Sequence, residues 1–331
     1  MAQSFEQLLG AVEDRIRELP AFRRQPVRLY EPAVYTMNLG GKRIRPVLAL
    51  MACQLFGGSV EKVLDPAVGL EVFHNFTLLH DDVMDRADMR RGKPTVHVKW
   101  DTNTAILTGD AMFAVAVRLM AGAPAESLRA VLQAFEALAV GVCEGQQYDM
   151  NFETQAQVSM AEYMEMIRLK TAVLIAGSLQ IGAEAAGAPA ASVARLYAYG
   201  TQIGLAFQLQ DDLLDLYGDE SKFGKKIGSD IRENKKTYLY IKALELLSPA
   251  DAAALEKAFA EPTRPETEAG KVALVKGLYE KVGVRQQCEA AVQAMFKAAE
   301  AELDAIPATE TDAEALTVLK QFTAKLLGRD Y

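Results

Sequence analysis

The sequence predicts an all-α protein, and three observations carry that reading. Apolar residues recur at helical spacing in segment after segment, the long segments are rich in Ala, Leu, Met and Glu, and hairpin signals are missing. There is no Asn-Gly or Asp-Gly dipeptide, and alternating β-branched residues are scarce.

The elements follow in order. Ser4 with Gln7 forms a capping-box start, after which Phe5, Leu8, Leu9, Val12, Ile16 and Leu19 repeat at helical spacing until Pro20. Pro46, followed by Val47-Leu48-Ala49-Leu50-Met51, predicts a second helix that ends at Gly57-Gly58. Further helices are expected over 63–86, 102–121, 124–151, 159–186, 190–217, 235–247 and 285–306. The stretch 248–270, with Pro249, Pro262 and Pro265, is expected to be the least ordered, yet it is too short to read as a domain linker. The expectation is one large helical domain over residues 1–331, a bundle around a central cavity whose helices surround two acidic faces.

Composition narrows the class. With 331 residues, 50% hydrophobic and 24% charged, the chain buries a large core and is not disordered. A net charge of -8 argues against nucleic acid as the main partner. Cys53, Cys143 and Cys288 are widely spaced, so neither a disulfide framework nor a zinc site is implied, and they read as core residues of a reducing compartment. Glu6, Glu13 and Asp14 stand where a signal peptide carries basic residues, and no eighteen-residue uncharged apolar run occurs. The expectation is a cytoplasmic protein with no membrane span.

The chemistry lies in two pentads. Asp81-Asp82-Val83-Met84-Asp85 recurs as Asp211-Asp212-Leu213-Leu214-Asp215, each at the end of an apolar helical stretch. The first and last carboxylates of such a pentad are i and i+4 and share a helix face. Three like charges on one turn repel, so a chain that builds this twice calls for a cation. Carboxylate oxygens suit Mg²⁺ or Ca²⁺, and Mg²⁺ takes one or two carboxylates, keeps waters and is completed by phosphate oxygens. Each pentad is followed by a basic loop, Arg90-Arg91-Gly92-Lys93-Pro94 after the first and Gly224-Lys225-Lys226-Ile227-Gly228 after the second. Acid on a helix with base on the next loop is what binding Mg²⁺ and a diphosphate together requires.

A second anion site is expected at Leu39-Gly40-Gly41-Lys42-Arg43-Ile44-Arg45-Pro46, where cations precede a helix start whose free N–H groups favour an anion. Lys42 and Arg45 are its candidates. His74, seven residues before Asp81 and on nearly the same face, is a third.

From Gly40 to Thr237 these motifs, with Gly109-Asp110, Lys170-Thr171, Phe207-Gln208 and Lys235-Lys236-Thr237, stand in an order that resembles the trans-isoprenyl diphosphate synthases, the head-to-tail prenyltransferases that include farnesyl and geranylgeranyl diphosphate synthases. The resemblance implies the isoprenoid synthase fold, a homodimer and Mg²⁺ as two or three ions. It implies that Asp81, Asp82, Asp85, Asp211 and Asp215 hold those ions on an allylic diphosphate whose charge Arg90, Lys170, Lys225 and Lys235 also neutralise. Lys42, Arg45, His74 and Arg91 then take the diphosphate of isopentenyl diphosphate, and Thr171 and Gln208 resemble the polar groups beside the allylic cation. Lys226 is an alternative to Lys225, and Arg329 is the one candidate for a closing C-terminal contact.

Rival readings are a longer-chain synthase, a terpene cyclase, an HD-type phosphohydrolase and a non-catalytic subunit. A cyclase normally replaces the second Asp motif, a phosphohydrolase needs a His upstream of His74, and a non-catalytic subunit usually loses an Asp motif; this chain has both motifs and no such His. For product length, Phe76 lies about 7.5 Å before Asp81 along a helix axis. Its ring is expected to floor the elongation channel, with the smaller Thr77 beside it, giving a C15 to C20 product. The alternative is that Phe76 faces a neighbouring helix.

Overall fold

The computed structural model describes residues 2–218, 227–261, 263–264 and 266–327. Among these it is helical almost throughout, with two two-residue strands, β1 (Met89–Arg90) and β2 (Lys93–Pro94), paired antiparallel. The chain divides into two compact units, one of residues 1–137, 177–197 and 306–322, the other of residues 138–176, 198–305 and 323–331 as far as they are described.

In the first unit, α1 (Phe5–Glu18) opens with the expected capping box: Ser4 Oγ accepts from Gln7 N, and the Gln7 side chain accepts from Ser4 N. Helix α2 (Val27–Met37) has no counterpart in the sequence reading, because Pro32 interrupts its pattern. Helix α3 (Ile44–Leu55) begins two residues before Pro46. Arg43 supplies the cap in a left-handed conformation, φ 47°, and Pro46 falls in the first turn, where an absent N–H costs no helix bond. Helix α4 (Val60–Met84) is buried on every side from Pro66 to Phe73 and packs against α3, α1 and α6 (Thr102–Met120). Between α4 and α6 lie the β1–β2 turn and the short α5 (Val96–Lys99).

Further along come α7 (Leu128–Thr154), α8 (Met160–Ile167), α9 (Val173–Ala185) and α10 (Ala190–Tyr217), the last with the bounds the sequence predicts. Between α8 and α9 the helix is not α: Arg168–Ala172 forms a π turn, closed by Val173 N donating to Arg168 O. After the second Asp motif follow α11 (Ser229–Arg232), α12 (Tyr238–Leu246), α13 (Pro249–Ala260), α14 (Glu268–Lys281), α15 (Val284–Asp304) and α16 (Ala313–Leu327). Helix α13 corrects the expectation of least order for residues 249–260, while Pro262 and Pro265 lie outside the described residues. Pro249 sits at the first helical position and Ser248 Oγ accepts from Asp251 N, so the proline starts a helix. The core expectation for the cysteines holds for Cys53 and Cys288, whereas Cys143 is exposed, and none is in a disulfide. One stretch, Met160–Ala185, is apolar and long enough to cross a membrane, but 78% of its most apolar window is buried within the protein, as in a core helix.

Candidate active site

In the first unit, the basic loop and the first Asp motif are both anchored on α4. Arg43, inside the loop, is buried and bonds Glu71 at 2.7 Å and Met37 O at 2.5 Å. Asn75 donates to the same Glu71 carboxylate at 2.9 Å. This ion pair ties the loop to the middle of α4 and leaves Lys42 exposed beside it. Arg45, in the first turn of α3, donates Nη1 to His74 Nε2 at 3.1 Å. An arginine only donates, so Nε2 is the acceptor and the imidazole proton sits on Nδ1. Burial first, and then Arg45, Arg91, Arg90 and Arg43 around it, hold the His74 pKa well below the ordinary 6.5. Arg91, at the β turn with φ 51°, donates to Gly40 O. The fold therefore brings Arg45, His74 and Arg91 to the loop that carries Lys42.

The three aspartates of the first motif have three fates. Asp81 is half-buried, and Asp85 is exposed at the C-terminal end of α4. Asp82 is 4% exposed, and Arg90 grips it with Nε at 2.8 and 2.9 Å and Nη2 at 2.7 Å. Burial pushes the Asp82 pKa up while Arg90 pulls it down. Arg90 and Asp82 thus meet each other, although the sequence reading sends one to the diphosphate and the other to a metal. The neighbouring His80 places Nε2 3.1 Å from Ile106 O of α6, and it lies where a Cβ at Gly109 would have to be. Gly109 is therefore the room for His80. Phe76 packs its ring against His80 (4.8 Å between centroids), Phe73 (5.5 Å) and Phe113 of α6 (5.5 Å), which is the neighbouring-helix contact of the alternative reading. Thr77 Oγ1 donates back to His74 O at 2.8 Å.

In the second unit the π turn carries Lys170 and Thr171. Single π turns inside helices frequently mark functional sites. Gly145 of α7 and Gly204 of α10 let it approach, since a Cβ on either would collide with the backbone of Lys170 or Ala172. Lys170 Nζ pairs with Asp149 of α7 at 2.6 Å. Thr171 Oγ1 donates to Gln208 Oε1 at 2.9 Å, and Gln208 Nε2 donates to Asp212 Oδ1 at 3.2 Å. Asp212, 4% exposed, also accepts from the Tyr163 hydroxyl and from Tyr238 N at 3.3 Å. Burial outweighs these donors and raises its pKa to about 7. Asp211 remains half-buried. Asp215 accepts from Ser229 N at 3.2 Å, Asp230 N at 3.1 Å and the Ser229 hydroxyl, so it anchors the start of α11. Lys235 is exposed and pairs with Glu233 at 2.9 Å. Lys225 and Lys226 lie outside the described residues, as does Arg329.

Sequence reasoning assigns nothing to Asp149, Tyr163, Gln146, Asp230 or Lys236. Gln146 is buried one turn before Asp149 with no hydrogen-bond partner for either amide atom among the described residues. Burial and the adjacent Asp215 and Asp212 push Asp230 well up. Lys236 caps the end of α7, donating to Phe152 O at 2.6 Å and Gln155 O at 2.7 Å. Each role depends on a residue distant in sequence, so no local signal announces it.

Among the described residues, no group of three or more His, Cys, Asp or Glu side chains gathers as a metal cage. Asp81, Asp85 and Asp211 instead offer single hard-oxygen donors. That suits Mg²⁺, which is commonly held by one or two carboxylates and completed by water and phosphate oxygens.

Helix-borne carboxylates beside cations and a basic loop at a helix start define a class: helical enzymes that act on diphosphates through charge. The chain belongs to the polyprenyl synthetase family, whose model matches residues 26–277. It is 41% identical over 261 residues to the geranylgeranyl diphosphate synthase of Methanosarcina mazei, covering 77% of this chain and 80% of that one. A crystal structure of a geranylgeranyl pyrophosphate synthase superimposes with a TM-score of 0.93 at 40% identity, covering 100% of both chains. The geranylgeranyl pyrophosphate synthase of Corynebacterium glutamicum, crystallised with isoprenyl diphosphate and magnesium, superimposes with a TM-score of 0.83 at 28% identity, covering 98% of this chain and 97% of that one.

Proposed function

We propose that the protein is a prenyltransferase that condenses isopentenyl diphosphate head to tail with an allylic diphosphate, giving an all-trans C15 to C20 prenyl diphosphate. One observation carries the condensing reading. Arg45, His74 and Arg91 meet at the Gly40–Arg43 loop, and Arg90 and Arg43 add their fields there. Such a concentration of positive charge serves an anion of its own, which a condensing enzyme has and an enzyme that only ionises one diphosphate lacks. Neutral His74, with its proton on Nδ1, is a donor that does not add to the arginines' mutual repulsion.

Asp81, Asp85 and Asp211 would hold Mg²⁺, as two or three ions, and the ions would supply charge withdrawal from the departing diphosphate. Asp82 and Asp215 support from behind, the first through Arg90 and the second through the start of α11. Lys170, held by Asp149, meets the allylic diphosphate, together with Lys225 and Lys235. The allylic C–O bond breaks, the cation alkylates the isopentenyl double bond, and the released diphosphate takes the final proton. Thr171 and Gln208 stand beside the cation with oxygen lone pairs. Phe76 ends the channel as part of an aromatic stack with Phe73 and Phe113. We further propose a homodimer, supported by the apolar residues Ile106, Leu107, Phe113 and Val117 that α6 exposes, and action in the cytoplasm, supported by three cysteines in no disulfide.

Incubation with isopentenyl diphosphate and dimethylallyl, geranyl or farnesyl diphosphate, reading product length after phosphatase treatment, tests the function. The expected product is C15 or C20, and longer prenyl alcohols are expected from Phe76→Ala. No condensation with any allylic substrate would overturn the reading.

A further inference from the structure

We propose that Tyr163 and Asp212 are positioning residues that fix the direction of the Thr171 hydroxyl, so that Thr171 turns lone pairs and not its proton toward the allylic cation. The inference rests on the condensing function proposed above. All its residues lie within the second unit.

One chain of hydrogen bonds sets the direction of that hydroxyl. In the Mg²⁺-loaded enzyme of the proposed function, cations beside Asp211 would favour the ionised form of its neighbour, so Asp212 is a carboxylate and only accepts. Its Oδ2 takes the Tyr163 hydroxyl and Tyr238 N, and its Oδ1 takes an N–H from Gln208. Gln208 therefore turns its NH₂ to Asp212 and its carbonyl oxygen away. That oxygen also only accepts, so Thr171, 2.9 Å from it, has to donate. Thr171 has one proton, and Gln208 takes it. Both lone pairs of Oγ1 remain for whatever lies on its other side.

Reversing the first link reverses the last. Were the Asp212 position to present a donor, the Gln208 amide would turn over, its NH₂ would donate to Thr171, and the Thr171 proton would point outward. An O–H dipole aimed at a carbocation repels it, whereas lone pairs stabilise it. Tyr163 matters because it is 2% exposed and its one polar atom goes to Asp212. A buried phenol with a single partner has no other orientation that satisfies it. It keeps Asp212 an acceptor with its oxygens in place. None of these three donors is charged, so the carboxylate stays available to Gln208 without a competing cation.

The test compares wild type, Tyr163→Phe, Thr171→Val and the double variant, with isopentenyl and geranyl diphosphates, alongside thermal unfolding. Tyr163→Phe is expected to lower kcat about tenfold, the worth of one buried hydrogen bond, with the KM of both substrates unchanged. In the Thr171→Val background the same change is expected to have no further effect, because the hydroxyl it orients is gone. Asp212→Asn, which lets the Gln208 amide turn over, is expected to lose more than Tyr163→Phe and serves if that variant does not fold. Undiminished kcat in Tyr163→Phe, or losses that multiply fully in the double variant, overturns the proposal. Wild-type protein that condenses nothing in the same assay overturns the function beneath it instead.

Discussion

The two Asp motifs share a spacing and bury the same member, yet they manage its charge in different ways. Asp82 and Asp212 are each 4% exposed. Asp82 is matched by a cation, since Arg90 bonds both its oxygens. Asp212 is met by the neutral Tyr163 hydroxyl, the Gln208 amide and Tyr238 N. The third members part as well, with Asp85 exposed at the end of α4 and Asp215 bonded to the amides that begin α11. Identically spaced aspartates therefore do not imply identical surroundings. An ion pair suits a carboxylate that is to stay charged, whereas neutral donors leave one whose proton affinity is high.

The largest effect is expected at the half-buried first members, where the two motifs should behave alike. Asp81→Ala and Asp211→Ala each remove a ligand of the Mg²⁺ that would draw charge off the leaving group, and each should lower kcat about a hundred- to a thousandfold. Steady-state kinetics at saturating Mg²⁺ check this, and one silent variant would break the equivalence of the motifs. Arg45→Ala should act differently. Losing a charge-assisted contact of about 1.5 to 3 kcal/mol should raise the KM for isopentenyl diphosphate about ten- to a hundredfold, with little change for the allylic substrate. Equal rises for both would undo the separate anion site.

Next come the two glycines that make room for functional groups. A Cβ at Gly145 meets the backbone of Lys170, whereas one at Gly109 meets the end of the His80 ring. Gly145→Ala should cost about 1 to 3 kcal/mol as overpacking against a part that cannot move, and Gly109→Ala should cost less, because a side chain rotates away. Thermal unfolding ranks them, and the reverse order would mean that the π turn is softer than its packing implies.

The smallest effect is in pH dependence, where the units should pull in opposite directions. His74 has a folded pKa well below 6.5, so below that pH the unfolded chain takes up a proton that the folded chain refuses. Its contribution to stability is present above 6.5 and lost as the pH falls. Asp212 rises from 3.8 to about 7, so between those values the folded chain keeps a proton that the unfolded chain has released, and stability declines as the pH rises through that window. Unfolding curves taken with a chelator from about pH 4 to pH 8 should show His74→Asn flattening the acid decline and Asp212→Asn the opposite one. Profiles parallel to wild type would remove both residues from the account.

The sequence made the helices and the acids legible, and left their partnerships hidden. Helix α10 has the predicted bounds because its apolar run is long and ends at a glycine. The π turn escaped, since it leads straight into the consecutive buried run Ala172, Val173 and Leu174, where a one-residue shift of the helical period leaves no mark in the apolar pattern. Pro249 misled because a proline that begins a helix and one that ends it look the same without the cap from Ser248. The pentads announced metal chemistry but not which carboxylate turns inward. Tyr163 lies 49 residues from Asp212, and no spacing rule links them.

The π turn also bears on what kinds of change this chain tolerates. One residue of an α-helix adds about 1.5 Å of length but about 100° of rotation. Deleting a single codon between those for Arg168 and Ala172 would hardly shorten the polypeptide, yet it would swing Thr171 around the helix relative to Tyr163 and carry it away from Gln208. Substitution can be graded at these positions, by size or by polarity. Deletion cannot, so a library of single-residue deletions should show a sharp gap in recovered activity here, inside an otherwise unbroken helical stretch.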